Sequence, residues 1–130
     1  MDQRIRAALS RGHTIDITTT GRRTGLPRRI EMVFHTLGGQ LYLSGLPNPR
    51  RRRRWLANLE ANPAFTFHLK GTVQADLAAT ARIIDDPAER RSILALVAAA
   101  WRRTDVDAMV AWSPLVEVSI EGFGARAGAA

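Results

Sequence analysis

The sequence has no cysteine, and this absence excludes disulfide frameworks, thiolate metal sites and cysteine nucleophiles. It also lacks an uncharged apolar run near the roughly 18 residues that a membrane-spanning helix needs. Charged residues interrupt the only apolar stretch of residues 1–12, so the uninterrupted apolar core of a signal peptide is missing. We therefore expect a cytoplasmic protein without a transmembrane segment.

Lysine is almost absent as well, because Lys70 is the only one, yet arginine gives the chain a net charge of +7. A field of this sign attracts phosphates, nucleic acid, acidic membrane surfaces and carboxylate-rich cofactors, and it does not choose among them. The length of 130 residues and the 45% apolar content fit one folded domain over residues 1–130.

Alternation of apolar and polar residues predicts that most of the chain is strand. Closure of so many short strands removes exposed sheet edges, which favours a barrel. The expected fold class is mainly β (α+β), a six-stranded antiparallel split β-barrel with a central and a late helix. The predicted strands cover residues 13–20, 28–35, 40–45, 64–70, 73–84 and 116–121.

Helix signals predict the central helix over residues 50–61 and the late helix over residues 88–103, the latter behind the cap Asp85-Asp86-Pro87. Two shorter helices are expected, over residues 5–9 and in the stretch that ends near Trp112. The small residues from 124 to 130 predict a flexible tail.

The turn after the first strand combines glycine with arginine. It reads Thr18-Thr19-Thr20-Gly21-Arg22-Arg23-Thr24-Gly25, and Arg28-Arg29 follow closely. Arginine offers paired donors to phosphate oxygens, and glycine lets the backbone approach them. The turn is therefore a candidate phosphate site, and a solvated basic hairpin end is the other interpretation.

A second basic run extends from Arg50 to Arg54 at the start of the predicted central helix, where Arg50 and Arg54 would share a face. The free N–H groups of a helix start also attract anions. Nucleic acid is the competing ligand, but no aromatic residues interleave with the arginines to stack bases. The histidines lack metal-ligand spacing, and no hydrolytic motif occurs, so we predict no metal site and no hydrolytic site.

Three motifs together resemble the deazaflavin-dependent nitroreductase family. They are the run from Thr18 to Arg28, then Gly39-x-x-Tyr42-Leu43, then Trp55-x-x-Asn58-Leu59-x-x-Asn62-Pro63. This resemblance implies the split β-barrel of the pyridoxamine-phosphate-oxidase-like superfamily. It also implies coenzyme F420, a 5-deazaflavin whose tail carries a phosphate and several glutamates, and a homodimer.

The resemblance further implies which residues border the cofactor. The phosphate would be held by basic side chains and backbone, the ring would lie beside the end of the third strand, and the central helix would lie below the ring. The residues so placed are Arg22, Arg23, Thr24, Arg28, Arg29, Ile30, Ser44, Gly45, Leu46, Pro47, Arg54, Trp55 and Asn58. Trp101 is expected to wall a substrate pocket.

The activity implied is hydride transfer between reduced coenzyme F420 and a small electrophilic acceptor such as a quinone, enone or nitro compound. The stretch from Trp101 to Trp112 has no tyrosine, whereas nitro-reducing members carry tyrosines there, so the acceptor stays open. Two alternatives remain. The same barrel accepts flavin mononucleotide (FMN) or haem, and Arg50 to Arg54 could serve a non-catalytic basic module that binds an anionic partner.

Overall fold

The computed structural model of the protein describes residues 1–124. The part of the predicted tail that follows Gly124 lies outside the described residues. Six antiparallel strands close into a barrel in the order β1-β2-β3-β6-β5-β4, which confirms the expected strand number and architecture. The strands are β1 (His13–Thr20), β2 (Pro27–Leu37), β3 (Gln40–Ser44), β4 (Ala64–Lys70), β5 (Gln74–Ile83) and β6 (Leu115–Ile120).

The barrel interior is filled by the alternate residues of each strand. Ile15 and Ile17 of β1 are fully buried, and the rings of Phe34 and Phe67 meet edge to face with centroids 5.2 Å apart. Burial of each such side chain contributes about 1.5–3 kcal/mol. The period of two in the sequence therefore fixes which face of every strand points inward.

Within residues 1–124, four helices accompany the barrel: α1 (Gln3–Arg11), α2 (Arg54–Ala61), α3 (Pro87–Trp101) and α4 (Val106–Trp112). The predicted cap of α3 is confirmed, because the Asp86 carboxylate accepts a hydrogen bond of 2.9 Å from the Glu89 backbone nitrogen. Helices α3 and α4 bury a second apolar cluster that includes Leu94, Val97 and Met109. None of the helices within residues 1–124 is long and apolar enough to span a membrane.

The predicted start of the central helix at Arg50 is wrong, because α2 begins only at Arg54. Asn48 holds the residues just before α2 in a turn. Its side-chain oxygen accepts a hydrogen bond from the Arg50 nitrogen at 3.0 Å, and its carbonyl oxygen accepts one from the Arg51 nitrogen at 3.4 Å. An asparagine that bonds to the backbone two residues on competes with helix formation. Arg50 and Arg54 therefore do not share a helix face.

Antiparallel pairing gives the barrel two distinct ends. The ends of β1, β3 and β5 lie at the same end of the barrel as the starts of β2, β4 and β6. The β1–β2 loop and the start of α2 belong to this first end. Helix α1 lies at the opposite end, where the Arg6 side chain donates to the Gly122 carbonyl oxygen at 2.8 Å.

Candidate functional site

A groove with a volume of about 770 Å³ opens at the first end of the barrel, within the size range of small-molecule sites. The β1–β2 loop and the start of β2 form its first wall, and the residues at the start of α2 form its second wall. The lining residues are Thr19, Gly21, Arg22, Arg23, Thr24, Pro27, Arg28, Arg29, Ile30, Arg52, Arg53, Arg54, Trp55, Ala57 and Asn58.

The β1–β2 loop is a tight turn that depends on its two glycines. The Gly21 nitrogen donates to the Leu26 carbonyl oxygen, and the Gly25 nitrogen donates to the Gly21 carbonyl oxygen, both at 2.8 Å. A Cβ on Gly21 would lie 2.7 Å from the Thr24 hydroxyl oxygen, and Gly25 has a φ of +70°. A larger residue would need a local shift at position 21, and at position 25 it would be held in a strained backbone conformation. The arginines between them are presented on a fixed backbone.

Asn58 of α2 ties this loop to the helix. Its side-chain oxygen accepts from the Arg22 backbone nitrogen at 3.0 Å, and its amide nitrogen donates to the Thr19 hydroxyl oxygen at 3.1 Å. The Asn58 side chain is buried, so these bonds form away from bulk water. Asn58 lines the groove, and the two bonds give it a role in positioning the loop.

Arginine side chains give the groove its charge, and several of them have no counterion. Among residues 1–124, no side-chain hydrogen bond or ion pair engages the guanidinium groups of Arg22, Arg23, Arg28 or Arg54. All four side chains are exposed. Unpaired guanidinium groups around one groove form a site for a multiply charged anion.

Two further arginines of the groove are partly neutralised. Arg29 contacts the Asp16 carboxylate at 2.9 Å, and Arg52 contacts the Glu60 carboxylate at 2.9 Å. The hydrogen bond from Lys70, and then that from Arg29, lowers the pKa of Asp16 below its ordinary value. Asp16 therefore stays ionised beside Arg29. Lys70 also pairs with Glu31, so Glu31 takes part in a cross-strand ion pair at the surface.

Arg53 belongs to the run from Arg50 to Arg54, of which only Arg54 was predicted to border the cofactor. Its guanidinium donates to the Leu46 carbonyl oxygen, and a Cβ on Gly45 would lie 3.1 Å from its terminal nitrogen. Partial burial, and then the charge of Arg51, lower the pKa of Arg53. Arg53 thus joins the loop after β3 to the groove. The sequence signal for Arg53 is its position directly before the first residue of α2. The prediction that this helix begins at Arg50 concealed that signal.

The predicted residues Ser44, Gly45, Leu46 and Pro47 do not line the groove. The buried Ser44 hydroxyl donates to the Pro114 carbonyl oxygen at 2.8 Å, which fixes the end of β3. Leu46 is 56% exposed. Gly45 and Leu46 lie next to Arg53, which lines the groove, and the role of all four residues toward a cofactor stays a prediction.

Trp101 also lies outside the groove. It ends α3 and packs edge to face on the ring of the buried His35, with centroids 5.0 Å apart. The structure thus places Trp101 in the second apolar cluster. Its assignment to a substrate pocket stays a prediction.

The remaining predicted residues are brought together, and the groove adds several that were not predicted. The predicted cofactor-binding residues that line it are Arg22, Arg23, Thr24, Arg28, Arg29, Ile30, Arg54, Trp55 and Asn58. The lining residues outside the predicted cofactor-binding set are Thr19 and Gly21 of the candidate turn, Arg52 and Arg53 of the arginine run, and Pro27 and Ala57. Ile30, Trp55 and Ala57 give apolar surface next to the cations, so a flat apolar group and an anionic group can bind side by side.

Solved structures share this fold at low sequence identity. A conserved hypothetical protein from Mycobacterium tuberculosis has a TM-score of 0.72 at 18% identity, over 100% of this chain and 89% of that chain. A structure described as F420 reductase has a TM-score of 0.66 at 19% identity, over 91% and 94%. A haem storage protein from Vibrio cholerae has a TM-score of 0.67 at 15% identity, over 95% and 96%. At these identities the likeness concerns the fold alone.

The sequence itself gives a more specific result. A comparison with curated proteins found no match. A family model described as F420H(2)-dependent quinone reductase matches residues 2–123, which include both walls of the groove and every strand of the barrel. This chain therefore belongs to the F420H(2)-dependent quinone reductase family.

Proposed function

We propose that the protein is an oxidoreductase that transfers a hydride between reduced coenzyme F420 and a small electrophilic acceptor. The observation that carries this proposal is the groove, where the unpaired guanidinium groups of Arg22, Arg23, Arg28 and Arg54 lie beside an apolar patch. Such a site suits a ligand with a flat ring and an anionic tail. Membership of the family supports the same cofactor.

The residues present fit the phosphate of this cofactor. Arg22, Arg23 and Thr24 stand on a loop that Asn58 holds in place, and Arg28 follows at the start of β2. Bidentate guanidinium contacts and a close backbone approach are the usual means of binding phosphate in proteins. These four residues would therefore hold the phosphate.

The groove carries more positive charge than one phosphate needs. Arg52 to Arg54 line its second wall, and the several glutamates of the cofactor tail would balance them. Trp55 and Ile30 supply apolar surface for the ring. The bound cofactor supplies the hydride, while the chain binds the tail, orients the ring and limits the access of water.

Two alternative cofactors are less well supported. Haem needs an axial ligand such as His, Cys, Met or Tyr, and none of these residue types is among the described residues that line the groove. FMN carries one phosphate and no glutamates, so it would leave several arginines of the groove without an anion. We therefore rank coenzyme F420 before FMN, and FMN before haem.

The proposal also covers the hydride acceptor, the oligomeric state and the cellular location of the protein. The family description names quinones, so a quinone is the first acceptor to examine, with enones and nitro compounds next. A homodimer and a cytoplasmic location stay predictions.

A direct test is titration of the purified protein with coenzyme F420 and, separately, with FMN, followed by fluorescence. We expect binding of the deazaflavin in the low micromolar range and much weaker binding of FMN. Equal affinity for both would contradict the assignment of the second wall to the glutamates. Absence of binding to either would contradict the proposed function itself.

A further inference from the structure

A threonine, a histidine and an aspartate form one hydrogen-bonded array on the outer face of the barrel. The Thr18 hydroxyl oxygen lies 2.7 Å from His68 Nε2, and His68 Nδ1 lies 2.7 Å from an Asp76 carboxylate oxygen. The three residues stand on β1, β4 and β5, where Asp76 is the cross-strand partner of His68. No sequence motif joins them, because Thr18 and His68 are 50 positions apart and meet only when β1 pairs with β4.

The chemistry of the array decides where its protons lie. An ionised carboxylate has no proton to donate, so His68 Nδ1 donates the hydrogen bond to Asp76. That hydrogen bond lowers the pKa of Asp76, which keeps the carboxylate ionised. In the neutral ring Nε2 is then an acceptor, and the Thr18 hydroxyl donates to it. The serine–histidine–aspartate triad of hydrolases has the same order of donors and acceptors.

The other charged groups near His68 are paired with one another. Asp16 is the partner of His68 on β1, and its carboxylate contacts Arg29 at 2.9 Å and Lys70 at 2.6 Å. Lys70 also pairs with Glu31 on β2. Among residues 1–124, neither Asp16 oxygen bonds to the imidazole ring. The buried ring of His68 is therefore oriented by the bond from its Nδ1 to β5.

A cleft with a volume of about 310 Å³ includes Thr18 in its lining. The pairing of β1 with β4 ends at Thr18 and Thr66, although both strands continue, so the cleft opens where they part. Ala64 and Phe65 give it apolar surface. Thr20 and Thr66 place two further hydroxyls on the face of Thr18. Neither of these two hydroxyls has a side-chain hydrogen bond within residues 1–124.

We propose that Thr18, His68 and Asp76 form a hydrolytic site for short-chain carboxylic esters, which bind in this cleft. Thr18 is the nucleophile, His68 is the general base and then the general acid, and Asp76 orients the ring. The hydroxyls of Thr20 and Thr66 are available to stabilise the carbonyl oxygen as it gains negative charge. A cleft of this volume is at the lower end of the range for small-molecule sites, so the acyl group is short.

The reaction has two steps and needs only water as a co-reactant. In the first step Thr18 Oγ1 bonds to the carbonyl carbon, its proton passes to His68 Nε2, and the ester C–O bond breaks as the alcohol leaves with that proton. In the second step a water oxygen bonds to the acyl carbon, and the water gives a proton to His68 Nε2. The bond from the acyl carbon to Thr18 then breaks, and the proton returns to Thr18 Oγ1. The products are a carboxylic acid and an alcohol.

The test is hydrolysis of p-nitrophenyl acetate by the full chain without any cofactor. Thr18→Val keeps the branched shape of the side chain and removes the hydroxyl, and Asp76→Asn changes an exposed residue. Thr14→Val is the matched control, because Thr14 lies on the same face of β1 and outside the cleft. We expect release of p-nitrophenol to fall about 100-fold or more in Thr18→Val and about 10-fold in Asp76→Asn. Thr14→Val should leave it unchanged, and Thr18→Ser should retain it.

Acid quenching followed by mass spectrometry of the unaltered protein locates the acyl group. We expect one acetyl group on Thr18, within the tryptic peptide of residues 12–22. Acetylation of Lys70 or of the N-terminal amine alone would overturn the proposal, and so would equal release rates in Thr18→Val and Thr14→Val. The position of the acetyl group is measured without any substitution, so it decides the matter even where a variant fails to fold.

This inference does not rest on the proposed function. The cleft shares Thr19 and Pro27 with the groove, but the hydrolysis needs no coenzyme. Ester hydrolysis without binding of coenzyme F420 would remove the proposed function alone. Binding of coenzyme F420 without ester hydrolysis would remove the hydrolytic site alone.

Discussion

The side-chain oxygen of Asn58 accepts a hydrogen bond of 3.0 Å from the backbone nitrogen of Arg22, which joins α2 to the β1–β2 loop across the groove. The same side chain donates to the Thr19 hydroxyl oxygen. One buried amide therefore links the two walls of the groove. The distance between the loop arginines and Trp55 depends on this residue, although it carries no charge.

Replacement of Asn58 by alanine should therefore weaken both the fold and the site. The loss of buried hydrogen bonds is expected to lower the free energy of unfolding by about 1–3 kcal/mol. Urea denaturation measures this change, and titration with coenzyme F420 should show reduced affinity. Asn62→Ala is the control, because Asn62 is exposed and, among residues 1–124, its side chain bonds only to the Ala64 backbone nitrogen, which donates to it at 3.2 Å. Equal destabilisation by both variants would contradict the bridging role of Asn58.

Arg23 and Arg28 should contribute separately to cofactor affinity. Each is exposed and has no side-chain partner among residues 1–124, so its removal costs the fold little. We expect Arg23→Ala and Arg28→Ala each to weaken binding of coenzyme F420 about 10- to 100-fold, as for a lost hydrogen bond between charged groups. Arg11→Ala, at the other end of the barrel, should have little effect. Unchanged affinity in both groove variants would remove the phosphate assignment.

The sequence predicts the barrel because its information is local and repeated. The β1 segment from residue 13 to 20 alternates around Ile15 and Ile17, and the structure has the strand at the same bounds. The cap at Asp86 likewise depends on neighbouring residues alone. Periodicity and caps need no knowledge of distant contacts.

The sequence pattern does not predict where α2 begins or which residue Leu46 contacts. Arginine is a good helix former, so a run of five predicts a helix from Arg50, whereas one Asn48 side chain holds a turn there. Arg53 becomes part of the groove through a contact with the Leu46 carbonyl oxygen seven residues away in the chain. Side-chain contacts of this kind appear only once the loops have their three-dimensional course.

Gly21 should tolerate no side chain, although its backbone has an ordinary φ. A Cβ there would lie 2.7 Å from the Thr24 hydroxyl oxygen and 3.1 Å from the Leu26 carbonyl oxygen, so the loop must shift. We expect Gly21→Ala to lower the free energy of unfolding by about 1–3 kcal/mol and to weaken cofactor binding. Gly71→Ala is the matched control, because no atom lies within 4 Å of a Cβ at that position. Thermal denaturation and cofactor titration are measured for both variants. Losses in Gly21→Ala alone indicate a packing effect, whereas equal losses in both variants would indicate a general effect of alanine.

His35 should make the stability of the fold depend on pH near neutrality. Its Nε2 is buried without a hydrogen-bond partner in the described part of the chain, and burial lowers its pKa below the ordinary value of 6.5. The unfolded chain therefore takes up the proton first, so stability is complete above about pH 6.5 and falls as the pH drops toward the lower pKa of the folded state. We expect the urea midpoint to decrease between pH 8 and pH 5.5. His35→Phe, which keeps an aromatic ring against Trp101, should flatten this dependence, and equal slopes in the two proteins would show that other groups cause it.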